Sequence, residues 1–249
     1  MTIHQPLDFE FLKSFSANTK YMLSSVQKAL ETSQIALNEY FRVVKKIPES
    51  VKLLAENGWY IPLDFDPVEI NRMASHIKEG KSQIVDEEMI TYIGKELTNI
   101  QDQLNKKFPE RSSAINAGIR AHKKHEYYLS IPVFFAQIEG ICEDLTGDRF
   151  FKTKAKAPLT NEWLKNFEAD SVIKTLLEPL KFSGPMRKTQ DIDNPIGINR
   201  HDVLHGNSVD YGDSKINGYK VLSLLNYIGD TVFEAKLFLD RKDSQESDK

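Results

Sequence analysis

Five polar side chains crowd one short stretch of the chain: Arg200, His201, His205, Asp210 and Tyr211, in a run that opens at Asn199. A guanidinium carries five N–H donors in a planar fork that matches phosphate oxygens. An imidazole, with an ordinary pKa of about 6.5, takes or gives a proton close to neutral pH. Together they suit cleavage of an RNA phosphodiester by its own 2′-hydroxyl. One group would move protons and the other would stabilise charge on the equatorial oxygens, so no metal or other cofactor is required. Arg200 and His205 are the candidate catalytic pair, with His201 as their companion. Asp210 and Tyr211 are candidates for the wall of the same pocket.

Spacing constrains how these groups can meet. On a regular helix, positions five apart differ by about 140° in direction, so Arg200 and His205 do not share a face. Convergence needs a long reach by the arginine, an irregular turn near Gly206, or a group supplied by a second protomer. His201 and His205 are spaced as His-x3-His, which puts both rings on one face as in a zinc pair. Asp202 stands where such a motif carries glutamate, and no third ligand is evident. A metal-dependent hydrolase using these two histidines is one alternative reading.

The elements that must hold this segment read as helices. After it, Val221, Leu225, Ile228, Val232, Ala235 and Leu239 recur in steps of four and three, an apolar helical stripe. Before it, Ile90, Ile93, Leu97, Ile100 and Leu104 form a second seam, fit to pack within the chain or across a dimer. Phe11, Phe15, Met22, Val26, Leu30 and Leu37 predict one or two amphipathic helices over 8–46, broken at Pro48 and by an aromatic connector at Trp59 and Tyr60, which read as core anchors. Asp66-Pro67 is a capping residue with proline in the first turn. Lys107-Phe108-Pro109 ends the second seam and marks a soft boundary, dividing an N-terminal region of unknown role (1–107) from a C-terminal domain (108–240). Helix resumes near Glu110 and runs to Leu145, with Pro132 either kinking it or opening a new helix capped by Ser130. His122 and His125 read as solvated histidines at a helix turn. Residues 146–161 and 181–197 are loop-like, 163–180 helical, and 241–249 a charged, disordered tail.

Arg200-x4-His205, with His201 beside the arginine, resembles the active motif of HEPN domains. It precedes a final amphipathic helix and follows a helical stretch containing Ala121-His122, Tyr128-Leu129-Ser130-Ile131-Pro132 and Gln137-Ile138-Glu139-Gly140. The resemblance covers roughly residues 108–240. It implies an all-α fold: a four- or five-helix bundle behind the N-terminal helical region. It also implies a metal-independent endoribonuclease whose Arg200 and His205 meet those of a second protomer in a homodimer cleft. Glu139 becomes a possible pocket carboxylate. The setting implied is defence or growth arrest, with an antitoxin or defence-system protein as a possible partner. A non-catalytic module of the same fold, binding RNA or protein, is the other alternative.

Composition limits these readings. The chain has 249 residues, 40% of them hydrophobic, with 14 Phe and 9 Tyr, enough for a core. Twelve Gly and ten Pro are too few for a turn-rich β fold. The single Cys142 excludes an intrachain disulfide framework. A net charge of −3 provides no bulk attraction to nucleic acid. RNA contact would need local cations, for which Lys152, Lys154, Lys156, Arg187 and Lys188 are the candidates. With no signal-like N-terminus and no apolar run of about 20 residues, the expected location is the cytoplasm and no membrane partner is expected.

Overall fold

The computed structural model describes residues 28, 33–34, 42–154, 157–168, 172–181, 186 and 198–247. It falls into two units, 1–45 and 46–249. In the first, the described positions are helical, and the helical run expected through Phe11 to Leu37 lies outside the described residues. All that follows concerns the second unit. It includes both sides of the boundary expected at 107, because the helix before that point packs onto helices that follow it.

Helix α1 (46–56) continues through Pro48 and does not break there. A proline inside a helix removes one hydrogen bond; here Ile47, Val51, Leu54 and Ala55 bury one continuous face around it. The chain turns at Gly58, in the left-handed region at φ +85°, and buries Trp59 and Tyr60 as anchors. Asp66 caps α2 (Pro67–Lys78) by accepting from the Val68 amide at 2.8 Å. The second seam becomes α3 (Ser82–Lys107), whose Ile93, Leu97, Ile100 and Leu104 are buried within the chain.

Next come α4 (Ser112–Lys123) and α5 (Tyr127–Thr146), parted at His125, a non-glycine residue at φ +61°. Helix α5 is the hub, packed against α4 and the helices at the C-terminal end. Ile131, Phe134, Phe135, Ile138, Ile141 and Cys142 bury most of its girth, leaving a single strip through Leu129, Ala136 and Glu143 exposed. Strand structure among the described residues is limited to a two-residue antiparallel pair, β1 (Thr153–Lys154) with β2 (Ala157–Pro158).

The single helix expected over 163–180 is instead a series of short pieces. These are α6 (Thr160–Trp163), a 3₁₀ turn (Leu164–Asn166), α7 (Val172–Leu176) and a second 3₁₀ turn (Glu178–Lys181). A one-turn helix, α8 (Arg200–Leu204), carries the polar segment. The last apolar stripe is α9 (Lys215–Tyr227), a π turn (Ile228–Val232) and α10 (Phe233–Ser247). The π turn sits on the end of α3: Lys107 reaches Asp230 at 2.8 Å and Glu234 at 3.2 Å. Helix α10 carries on through 241–247, where a disordered tail was expected; 248–249 lie outside the described residues. The protein is all-α, and among the described residues no helix is long and apolar enough to cross a membrane.

His122 departs from its expected solvated state. It is 1% exposed, edge-on to Tyr127 and Tyr219 and tilted against Phe134. Burial, then the charge of His125, pushes its pKa down to about 4. The unfolded chain therefore takes up this proton near the ordinary value of about 6.5, whereas the folded one does so only near 4. Stability should fall as pH is lowered through that window, by about 3 kcal/mol in all, and level off below it. Denaturant melts across the window should show this slope for the wild type and a flatter one for His122→Phe. Parallel curves would mean that the ring titrates normally in the fold.

Candidate functional site

One turn of helix cannot hold itself in place, so the 199–213 segment depends on its caps and on α5. Asn199 caps α8 with its side-chain oxygen, accepting from the amides of His201 (2.9 Å) and Asp202 (3.3 Å). Gly206, at φ +74°, ends the helix directly after His205. The Asn207 amide then folds back on the Asp202 carbonyl at 2.8 Å.

Docking begins with Pro132. Inside α5 the N–H of residue 132 would bond to the carbonyl of Tyr128, and proline has none. The Tyr211 hydroxyl donates to that carbonyl at 2.9 Å, and the two tyrosine rings meet edge to face at 5.0 Å. Tyr128 in turn donates to Asp213 at 2.5 Å, a bond that pushes its pKa up to about 12 and keeps it a protonated donor. Gly212 lies so close to the Tyr128 ring that a Cβ there would stand 2.6 Å from it. Asp210 accepts from the Ser208 hydroxyl at 3.0 Å, within the loop itself.

Arg200 makes the second tie. Its guanidinium lies 3.2 Å from Glu139, in the middle of α5, with both side chains largely covered. Burial raises the Glu139 pKa, while Arg200 and the Phe151 backbone amide pull it back only in part. Glu139 thus touches the segment through a direct contact with its arginine.

The histidines go elsewhere. His201 and His205 are exposed, with ring centroids 4.3 Å apart and tilted by 47°. The segment therefore brings His201 to His205 and Arg200 to Glu139, so Arg200 and His205 take different partners. The imidazole pair has the spacing of two zinc ligands, but among the described residues no group of three His, Cys, Asp or Glu could hold a metal.

Of the expected cations, Lys152 and Lys154 are described and exposed; Lys156, Arg187 and Lys188 lie outside the described residues. Phe151, whose amide faces Glu139, leads directly into Lys152 and Lys154. Lys154 borders an open groove of about 950 Å³ that also has Lys165, Lys174 and Lys181 on its walls. These three lysines were missed because they sit on separate short helices and form no basic run in the sequence.

Family models, curated proteins and solved structures were all compared with the chain, and none matches.

The Pro132 arrangement can be tested by a double-mutant cycle. Tyr211→Phe should cost about 1 kcal/mol, because the Tyr128 carbonyl loses its donor. In a Pro132→Ala background the helix supplies its own N–H to that carbonyl, so the same substitution should cost clearly less. Equal costs in both backgrounds, read from denaturant melts, would separate the hydroxyl from the proline gap.

Proposed function

We propose that the 199–213 segment is the site of a metal-independent endoribonuclease of the HEPN type, acting as a homodimer. The observation that carries this reading is the division of the segment. Two imidazoles stand together on the exposed side, and an arginine is held on α5 next to the chain that enters the lysine groove. In the proposed reaction His205 takes the proton of a 2′-hydroxyl, whose oxygen bonds to the adjacent phosphorus. The P–O5′ bond breaks and the 5′-oxygen gains a proton, leaving 2′,3′-cyclic phosphate and 5′-hydroxyl ends. Arg200 stabilises the equatorial oxygens, His201 orients the site, and the lysine groove guides the RNA backbone.

Dimerisation answers the divergence of Arg200 and His205, since the arginine of one protomer can serve the histidine of the other. Leu129, Leu204 and Val209, all exposed on α5 or the segment itself, supply apolar surface for such an interface. The HEPN resemblance adds a defence or growth-arrest setting in the cytoplasm, with an antitoxin or defence protein as partner. One observation favours a second reading. Arg200 is already paired with Glu139, as it would be in a module that binds RNA or protein without cutting it.

Cleavage in EDTA tests the two together. Arg200→Ala and His205→Ala should each lower the rate by about 10²–10⁴-fold with the fold intact. The double variant should be little worse, because both groups act on one transition state; His201→Ala should be milder. A purified dimer that binds RNA but cuts none, with or without divalent metal, would leave the binding-module reading standing.

Electrostatics gives a separate check. Replacing Lys154, Lys165, Lys174 and Lys181 by Gln should weaken RNA binding and flatten its dependence on log[salt] by about 0.7 for each phosphate no longer neutralised. An unchanged slope would place the RNA backbone on another face.

A further inference from the structure

A second cavity, of about 440 Å³, lies between α1, α2, α3 and the start of α9, and plays no part in the proposed cleavage. Its wall holds Lys220, a lysine only 7% exposed. The Lys220 stem runs over Gly58, whose missing side chain makes room for it: a Cβ there would stand 2.8 Å from the lysine Cδ. The ammonium lies 5.6 Å from the centre of the Trp59 ring. Its carboxylate partner is Asp86, at 3.6 Å, which is long for a hydrogen bond. The same Asp86 oxygen already accepts from the Trp59 indole N–H at 2.7 Å.

A lysine buried only to tie α9 to α3 would have its N–H donors closely matched, since an under-paired buried charge is costly. Here burial wins over Asp86 and lowers the Lys220 pKa. The remaining donors of Lys220 are directed by its position to the cavity, which it lines. Ser82 and Ser214, at the first turn of α3 and the cap of α9, line it too, so two helix N-termini add partial positive charge. Ile77, Val85 and Ile216 supply the apolar part. A cavity of this size falls within the usual range for small ligands, about 300–1,000 Å³.

We propose that this cavity binds a small organic anion, whose carboxylate or phosphate oxygens pair with Lys220 while its apolar body rests on Ile77, Val85 and Ile216. The site is independent of the ribonuclease reading, and its test uses no RNA. In a Trp163→Phe background, Trp59 is the one remaining indole and reports on the cavity by fluorescence. Titration with phenyl phosphate, phenylacetate and neutral benzyl alcohol should show saturable binding of at least one of the two acids, and the preferred acid assigns phosphate ester or carboxylate. Lys220→Met should weaken that binding by about tenfold or more. Ser82→Asp provides a second variant, because aspartate in a first helical turn is well tolerated yet sets a negative charge on the cavity wall; it too should weaken the acids. If Lys220→Met does not fold, Ser82→Asp alone decides. The proposal is overturned if neither acid perturbs Trp59, if benzyl alcohol binds as well as the acids, or if the folded variants bind like the parent.

Discussion

Because Pro132 has no N–H, the Tyr128 carbonyl in the first turns of α5 is open, and the placing of the whole polar segment follows from that gap. Tyr211 fills it, its ring lies on Tyr128, and Gly212 makes the close approach possible. A proline inside a helix is ordinarily a loss of about 3 kcal/mol or more. Here the freed acceptor is returned to a side chain from another part of the chain, so the local loss becomes a tertiary contact. Asn217, whose amide donates to the Tyr211 carbonyl at 3.1 Å, carries the same tie into α9. A loop with one turn of helix is thereby held at both ends of its polar run, by Arg200 at one and Tyr211 at the other.

The long periodic helices were legible because apolar residues recur along them at helical spacing. The seam of α3 and the stripe of α9 and α10 repeat every three or four residues, and the structure buries those positions. Positions 90 and 239 are the exceptions, only partly covered although they fit the period. Legibility failed where tertiary contact overrides the local signal. The helix expected over 163–180 breaks around Pro179 and Phe167, and the uniform stripe of the last helix hides a π turn fitted to Lys107. In the segment, the residue types were visible in the sequence and so was the mismatch in direction between positions 200 and 205. The Arg200–Glu139 contact was only partly visible, as a carboxylate on a nearby helix. Lys220 and Asp86 gave no signal, since a lone lysine in an apolar stripe reads as a surface residue until the far wall is known.

Charge is distributed to match two different surroundings. Lys154, Lys165, Lys174 and Lys181 border an open groove, where a cation costs little to keep and pairs are screened by solvent. Lys165 and Lys181 are in fact bonded to Glu162 and Glu178, nearby carboxylates on their own short helices. Such exposed pairs are worth little, so a polyanion can displace the carboxylates at small cost. Lys220 is the opposite case, held where desolvation outweighs Asp86 and lowers its pKa. A net charge of −3 is therefore compatible with a local cationic groove and with a buried cation, because neither depends on the global sum.

The Arg200–Glu139 pair joins these two regimes. Glu139 is covered enough that burial outweighs the attraction of the guanidinium, so its pKa stays raised even with Arg200 beside it. If Arg200 turned to a phosphate, Glu139 would lose its nearest cation and gain a negative neighbour. Both changes raise its pKa further and so favour uptake of a proton by the carboxyl. Protonation limits the cost of releasing the arginine, since a neutral buried carboxyl needs only a hydrogen-bond partner where a carboxylate needs a charge. The same argument explains why pairing with Glu139 does not by itself decide between a cutting and a merely binding site. In the proposed reading the carboxylate holds the guanidinium in position until a phosphate arrives, and only the groups that would then face the 2′-hydroxyl determine whether the bond breaks.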